Sequence, residues 1–149
     1  MEFIFNDGGR ADTGYKGSAG DCAVRAIAIA TGIPYGEVYD TLKKANGEFA
    51  KTKRCRVARK LKKKGSSPRD GNYKKVYRQY LESLGWKWVP TMFIGQGTKV
   101  HLKKDELPDG KLIVNVSKHL TAVIDGVIHD TYDCSRDETR CVYGYYIKN

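Results

Sequence analysis

The sequence predicts an α+β domain in which N-terminal helices pack on a C-terminal antiparallel sheet. Apolar residues recur at helical spacing through most of the first 85 positions, whereas from Trp86 onward short runs of branched and aromatic residues alternate with Gly, Pro or Asp. A length of 149 residues with 40% apolar content suits a single modest core, so residues 1–149 are assigned to one domain.

The elements follow in chain order. Five glycines among residues 1 to 20 make that stretch a loop, with one short strand at Phe3 to Phe5. "CAVRAIAIATG" is apolar almost throughout except for Arg25 and reads as a buried helix from Cys22, ended by Gly32. "IPYGEVYDTLKKANG" opens with Pro34 in its first turn and carries Val38, Leu42 and Ala45 on one stripe, so it reads as a second helix stopped by Gly47. A third, short helix in the basic segment would have Val57 and Leu61 as its apolar stripe, and "GSSPRDG" breaks it. Tyr73 to Leu84 places Tyr73, Val76, Tyr77, Tyr80, Leu81 and Leu84 on one helical face before Gly85. Strands are then expected in "WKWVPTMFIG", "KLIVNV", "LTAVIDGVIHDTY" and "CVYGYYI", with a turn at "LPDG". The many tyrosines, including Tyr143, Tyr145 and Tyr146, could line a core, a cleft or a dimer face, and the core is the expectation.

No window reaches the roughly 18 apolar residues of a membrane span, and "MEFIFNDGGRAD" lacks the charged and apolar regions of a signal peptide. The expected setting is cytoplasmic, without membrane contact. Cys22, Cys55, Cys134 and Cys141 show no C-x-x-C spacing, so a zinc site would need the fold to gather them. Cys134 and Cys141 are spaced to pair across a loop, although reduced thiols are the rule in a reducing compartment. The formal charge is +10, and between Lys51 and Lys64 nine of fourteen residues are Lys or Arg with no acid among them. Such a run attracts nucleic acid or an acidic protein by a salt-sensitive term, or serves simply as a solvated helix face. No aromatic side chains alternate with the basic ones to stack on single strands.

Asp125 and Gly126 between two strand-like runs form the strongest short-range hairpin signal. With those two residues as the loop, Ile124 faces Val127, Val123 faces Ile128, Ala122 faces His129, and by continuation Thr121 faces Asp130, Leu120 faces Thr131 and His119 faces Tyr132. Alternation then puts His119, Thr121, Val123, Ile128, Asp130 and Tyr132 on one face, with Asp130 diagonal to His119. His129 points to the other face, and His101 lies in a basic, exposed segment. Cys22, at a helix start after a glycine-rich loop, meets the positive helix end that favours thiolate. A thiol so placed, with a histidine held by an acid on a later sheet, is the arrangement for nucleophilic attack; the alternative is an inert core cysteine among alanines.

"KGSAGDCAVRA" resembles the nucleophile region of papain-like cysteine peptidases, and "GDCAVRAIA" is similar to the corresponding segment of ovarian-tumour-type deubiquitinases. The order Cys22, His119, Asp130 matches the family's Cys, His and Asn or Asp. The resemblance implies a minimal papain-like domain of the bacterial or phage kind, with Cys22 as nucleophile, His119 as general base and acid, and Asp130 as its orienting residue. Six residues before Cys22 the family has a glutamine that helps form the oxyanion hole; Lys16 stands there, leaving the Cys22 backbone N–H as the other donor. A shifted loop alignment would bring Asn6, Ser18 or Asp21 to that role. Ala19 replaces a loop cysteine of the family, and Ala23 the tryptophan that follows the nucleophile. The expected activity is hydrolysis of a peptide or isopeptide bond, or the related transfer to an amine, with no cofactor and no metal. The expectation of another class is a non-catalytic papain-like module that binds nucleic acid or an acidic protein through Lys51 to Lys64.

Overall fold

The computed structural model describes residues 1–11, 21–52, 56–64, 74–93, 95–97 and 99–148. Helix α1, Cys22–Thr31, forms where alanines and aliphatic residues leave almost no polar face, and it buries Val24, Ala26, Ile27, Ala28 and Ala30. Gly32 ends it in the left-handed conformation (φ 77°), its N–H bonded to the Ala28 carbonyl. Helix α2, Tyr35–Thr52, does not stop at Gly47 as the sequence suggested. An interior glycine costs about 1 kcal/mol. Burial of Phe49 and Ala50 beyond it, against Ala58 and Val76, offsets that cost and carries the helix on. Helix α3, Arg56–Lys64, occupies the basic segment and exposes Arg56, Arg59, Lys60 and Lys63 while burying Ala58. The side chains of Val57 and Leu61 lie outside the description. Helix α4, Lys74–Ser83, buries Val76, Tyr77 and Leu81, and Gly85 (φ 88°) turns the chain into the sheet.

The sheet has six strands: β1 Glu2–Phe5, β2 Trp86–Pro90, β3 Lys111–Val116, β4 His119–Ile124, β5 Val127–Asp130 and β6 Val142–Lys148, in the order β1-β5-β4-β3-β6-β2. It is mixed, not antiparallel, and not wholly C-terminal. β1 lies parallel to β5, with Phe5 opposite Asp130. A parallel neighbour requires a long crossover, and the helices together with β2, β3 and β4 supply it. The β4–β5 hairpin has the expected two-residue loop, Asp125 and Gly126 both at positive φ (49° and 78°), which is the primed turn that matches strand twist. Ile124, Val123 and Ala122 pair with Val127, Ile128 and His129. The ladder stops there; Asp130 instead follows β1, and the Asn6 N–H donates to its carbonyl at 2.8 Å.

The two faces of the sheet are covered differently. Ile113, Leu120, Ala122 and Tyr146 pack against α1, α2 and α4. On the reverse face Leu112, Val114, Val116, Val123, Ile128 and Val142 pack with Leu102, Leu107 and Cys134 from the long connections. The C-terminal tyrosines separate accordingly: Tyr146 is fully buried, Tyr145 half-buried on the reverse face, and Tyr143 is 40% exposed rather than in the core. Its neighbour Gly144 lies beneath the Trp88 ring, where a Cβ would stand 2.4 Å from Trp88 Cη2 and 2.7 Å from the Val89 carbonyl oxygen. Gly144→Ala is therefore expected to cost about 1 to 3 kcal/mol by overpacking against a backbone atom that cannot rotate away, read from the urea midpoint.

Candidate active site

Cys22, His119 and Asp130 meet at one end of the sheet. α1 delivers Cys22 from the helical layer, β4 begins with His119, and β5 ends with Asp130. His119 Nε2 lies 2.6 Å from Asp130 Oδ2, and Thr121 Oγ1 donates to the same oxygen at 2.8 Å. The other carboxylate oxygen accepts the Thr131 N–H at 2.7 Å and Arg25 Nη2 at 3.5 Å. With Nε2–H donated to Asp130, Nδ1 is the nitrogen left to exchange a proton with a thiol, a tautomer assigned from the hydrogen bonds. Tyr132, beyond the paired part of the hairpin, has its ring 5.2 Å from the imidazole.

Burial opposes charge at all three groups, and their partners overcome it. Desolvation would push the Cys22 thiol up, but the hydrogen bond and charge of His119, the Leu120 backbone N–H and Arg25 hold it below its ordinary value. Burial would likewise lower His119, whereas hydrogen bonds with Asp130, Cys134 and Cys22 raise it well above the usual imidazole range. Burial also disfavours ionised Asp130, and the hydrogen bond and charge of His119, with those of Thr121 and the Thr131 N–H, bring it below the usual carboxylate value. The three shifts run the same way, each favouring the ionised form of its group: thiolate, imidazolium and carboxylate.

The network extends into residues whose roles the sequence did not disclose. Asp21, fully buried and immediately before α1, accepts from Arg10 Nη1 at 3.1 Å, from Tyr35 OH at 2.5 Å and from Arg25 Nη1. Arg25 thus joins Asp21 to Asp130. The only legible signal was its charge in an otherwise apolar helix, four residues after an acid. Cys134 reaches the His119 ring from the reverse-face cluster, and no sequence spacing announced it.

Other predicted positions fall elsewhere. Lys16 and Ser18 lie outside the described residues. Asp21 does not supply an oxyanion donor, because its carboxylate accepts from three groups. Asn6 uses its Oδ1 to accept the Gly8 N–H at 2.8 Å, beside Asp130 at the end of β1. His101 is half-exposed and pairs with Glu106 at 3.2 Å. His129 stands opposite Ala122 in the hairpin, on the alternate face from Asp130. Cys134 and Cys141 are free thiols rather than a disulfide.

Nitrogen, oxygen and sulfur donors of His119, Asp130 and Cys134 lie within 4.8 Å of one another, a set that zinc accepts. As they stand, His119 Nε2 and Asp130 Oδ2 are spent on each other. The chain was compared with protein-family models, with curated proteins and with solved structures, and none matches it.

Proposed function

We propose that this protein is a thiol-dependent hydrolase of minimal papain-like type that cleaves a peptide or isopeptide bond. The observation that carries the reading is His119 held between the Cys22 thiol and the Asp130 carboxylate, with all three shifted toward their ionised forms. In this mechanism His119 Nδ1 takes the Cys22 proton and the thiolate attacks the substrate carbonyl. The imidazolium then protonates the departing amine, leaving an acyl-enzyme. His119 next accepts a proton from water, which attacks the thioester and releases the acid and the free thiol. Transfer of the acyl group to an amine would use the same residues, and product analysis with and without added amine separates the two.

We place this chemistry in a cytoplasmic, reducing setting where Cys22 stays a free thiol. Among the described residues no helix is long and apolar enough to cross a membrane. The test is a peptide bearing a thiol-reactive warhead, with the adduct located by mass spectrometry. Modification confined to Cys22, absent from Cys22→Ala, is expected. Modification that persists in that variant, or moves to Cys55, overturns the reading.

The exposed cations of α3 favour a second reading, a module binding nucleic acid or an acidic protein through its basic face. Binding to an arbitrary duplex should then fall steeply between 50 and roughly 200 mM salt. Absence of binding at low salt removes it.

A further inference from the structure

An aromatic cleft of about 600 Å³ opens where β2 ends and β6 begins, lined by Trp88, Pro90, Met92, Phe93, Tyr143 and Lys74 among others. Phe93 is 51% and Tyr143 40% exposed, so large apolar side chains face solvent there. Lys74 Nζ lies 3.9 Å above the Trp88 ring, and desolvation together with the Arg78 charge lowers its pKa. Lys75 and Lys87 are exposed nearby in sequence, while Arg78 already pairs with Glu82.

The cleft and the thiol share one end of the sheet. His119 pairs with Val116, Val116 with Val142, and the adjoining Gly144 with Pro90. Three strand spacings of about 4.8 Å separate β4 from β2, roughly 14 Å in all, which an extended chain covers in about four residues. Beneath that edge the core between them is aromatic. Tyr77 feels the charge of Cys22, accepts from Asn115 Nδ2 at 3.4 Å and meets Tyr146 edge-on at 6.3 Å, and Tyr146 lies 4.8 Å from Trp88.

Resting on the hydrolase reading, we infer that this cleft is a recognition subsite for an extended peptide substrate. It takes a large apolar side chain about four residues from the scissile bond, with a neighbouring carboxylate on Lys74. The aromatic walls match the apolar group, and the partly desolvated lysine gains from an anion.

The test uses Cys22→Ala protein, which binds without turnover, and reads intrinsic tryptophan fluorescence during titration with synthetic hexapeptides. A peptide carrying Phe-Glu is expected to bind at least roughly tenfold tighter than its Ala-Ala counterpart. Phe93→Ala should erase the Phe contribution and Lys74→Glu the Glu contribution. Equal binding of the two peptides, or a preference that survives Phe93→Ala, overturns the inference, as does quenching by oligothymidylate and not by peptide. Iodoacetamide alkylation of Cys22 in the wild-type protein needs no cleft, so reactive Cys22 with no peptide preference rejects the subsite alone. Unreactive Cys22 with a clear peptide preference rejects the hydrolase and leaves the cleft as a peptide-binding site.

Discussion

Replacing His119 by alanine is expected to slow iodoacetamide alkylation of Cys22 at pH 7 and to abolish peptide turnover. The direction follows from the thiolate fraction: a cysteine at its ordinary value of 9.0 is only about 1% ionised at pH 7, and any lowering raises that share. Burial would push Cys22 higher still, and the His119 hydrogen bond and charge are the main opposing influences. The wild-type alkylation rate should therefore rise with an inflection below pH 9.0, and that of His119→Ala above it. An unchanged inflection would show that His119 does not control the thiol. Asp130→Asn should move the inflection part of the way, since the carboxylate supports the imidazolium that supports the thiolate. The same pair shapes stability. Asp130 contributes fully above its ordinary 3.8 and loses that contribution as pH falls through its lowered folded value, while His119 contributes below 6.5 and loses it as pH rises through its raised one.

Arg25→Met should destabilise the fold by about 3 to 5 kcal/mol, the cost of breaking a buried ion pair from one side. The guanidinium has only 7% of its side chain exposed and touches Asp21 and Asp130, themselves 0% and 3% exposed. Methionine fills a similar volume, so the loss reads charge rather than cavity. Two carboxylates then remain with one cation fewer beside them, since Arg25 touched both, while Arg10 pairs with Asp21. Arg25→Lys should recover part of the stability, because a single ammonium cannot serve both acids in the forked geometry of arginine. The urea midpoint measures both variants, and a loss of the same size from Arg78→Met, whose pair with Glu82 is exposed, would refute the burial argument.

Helix α1 was legible because its apolar pattern and its terminal glycine act locally. The hairpin was legible for the same reason: Asp125 and Gly126 set the turn, the turn sets the register, and the register places Thr121 and His119 against Asp130. Gly47 misled because a local helix cost of about 1 kcal/mol is smaller than the packing of Phe49 and Ala50 further along. β1 misled differently. Phe3 to Phe5 predicted a strand, but no short-range feature says that Phe5 will lie beside Asp130.

By itself, then, the sequence determined the elements, the hairpin and the pairing of His119 with an acid across it, all interactions between residues close along the chain. Tertiary structure alone decided that Cys22, nearly a hundred residues earlier, meets that imidazole, and that Arg25 and Asp21 brace it from behind. Those contacts arise only when α1 buries its apolar face on β4, because a charge buried in a core is tolerated where packing brings its partner, and sequence spacing does not record that distance.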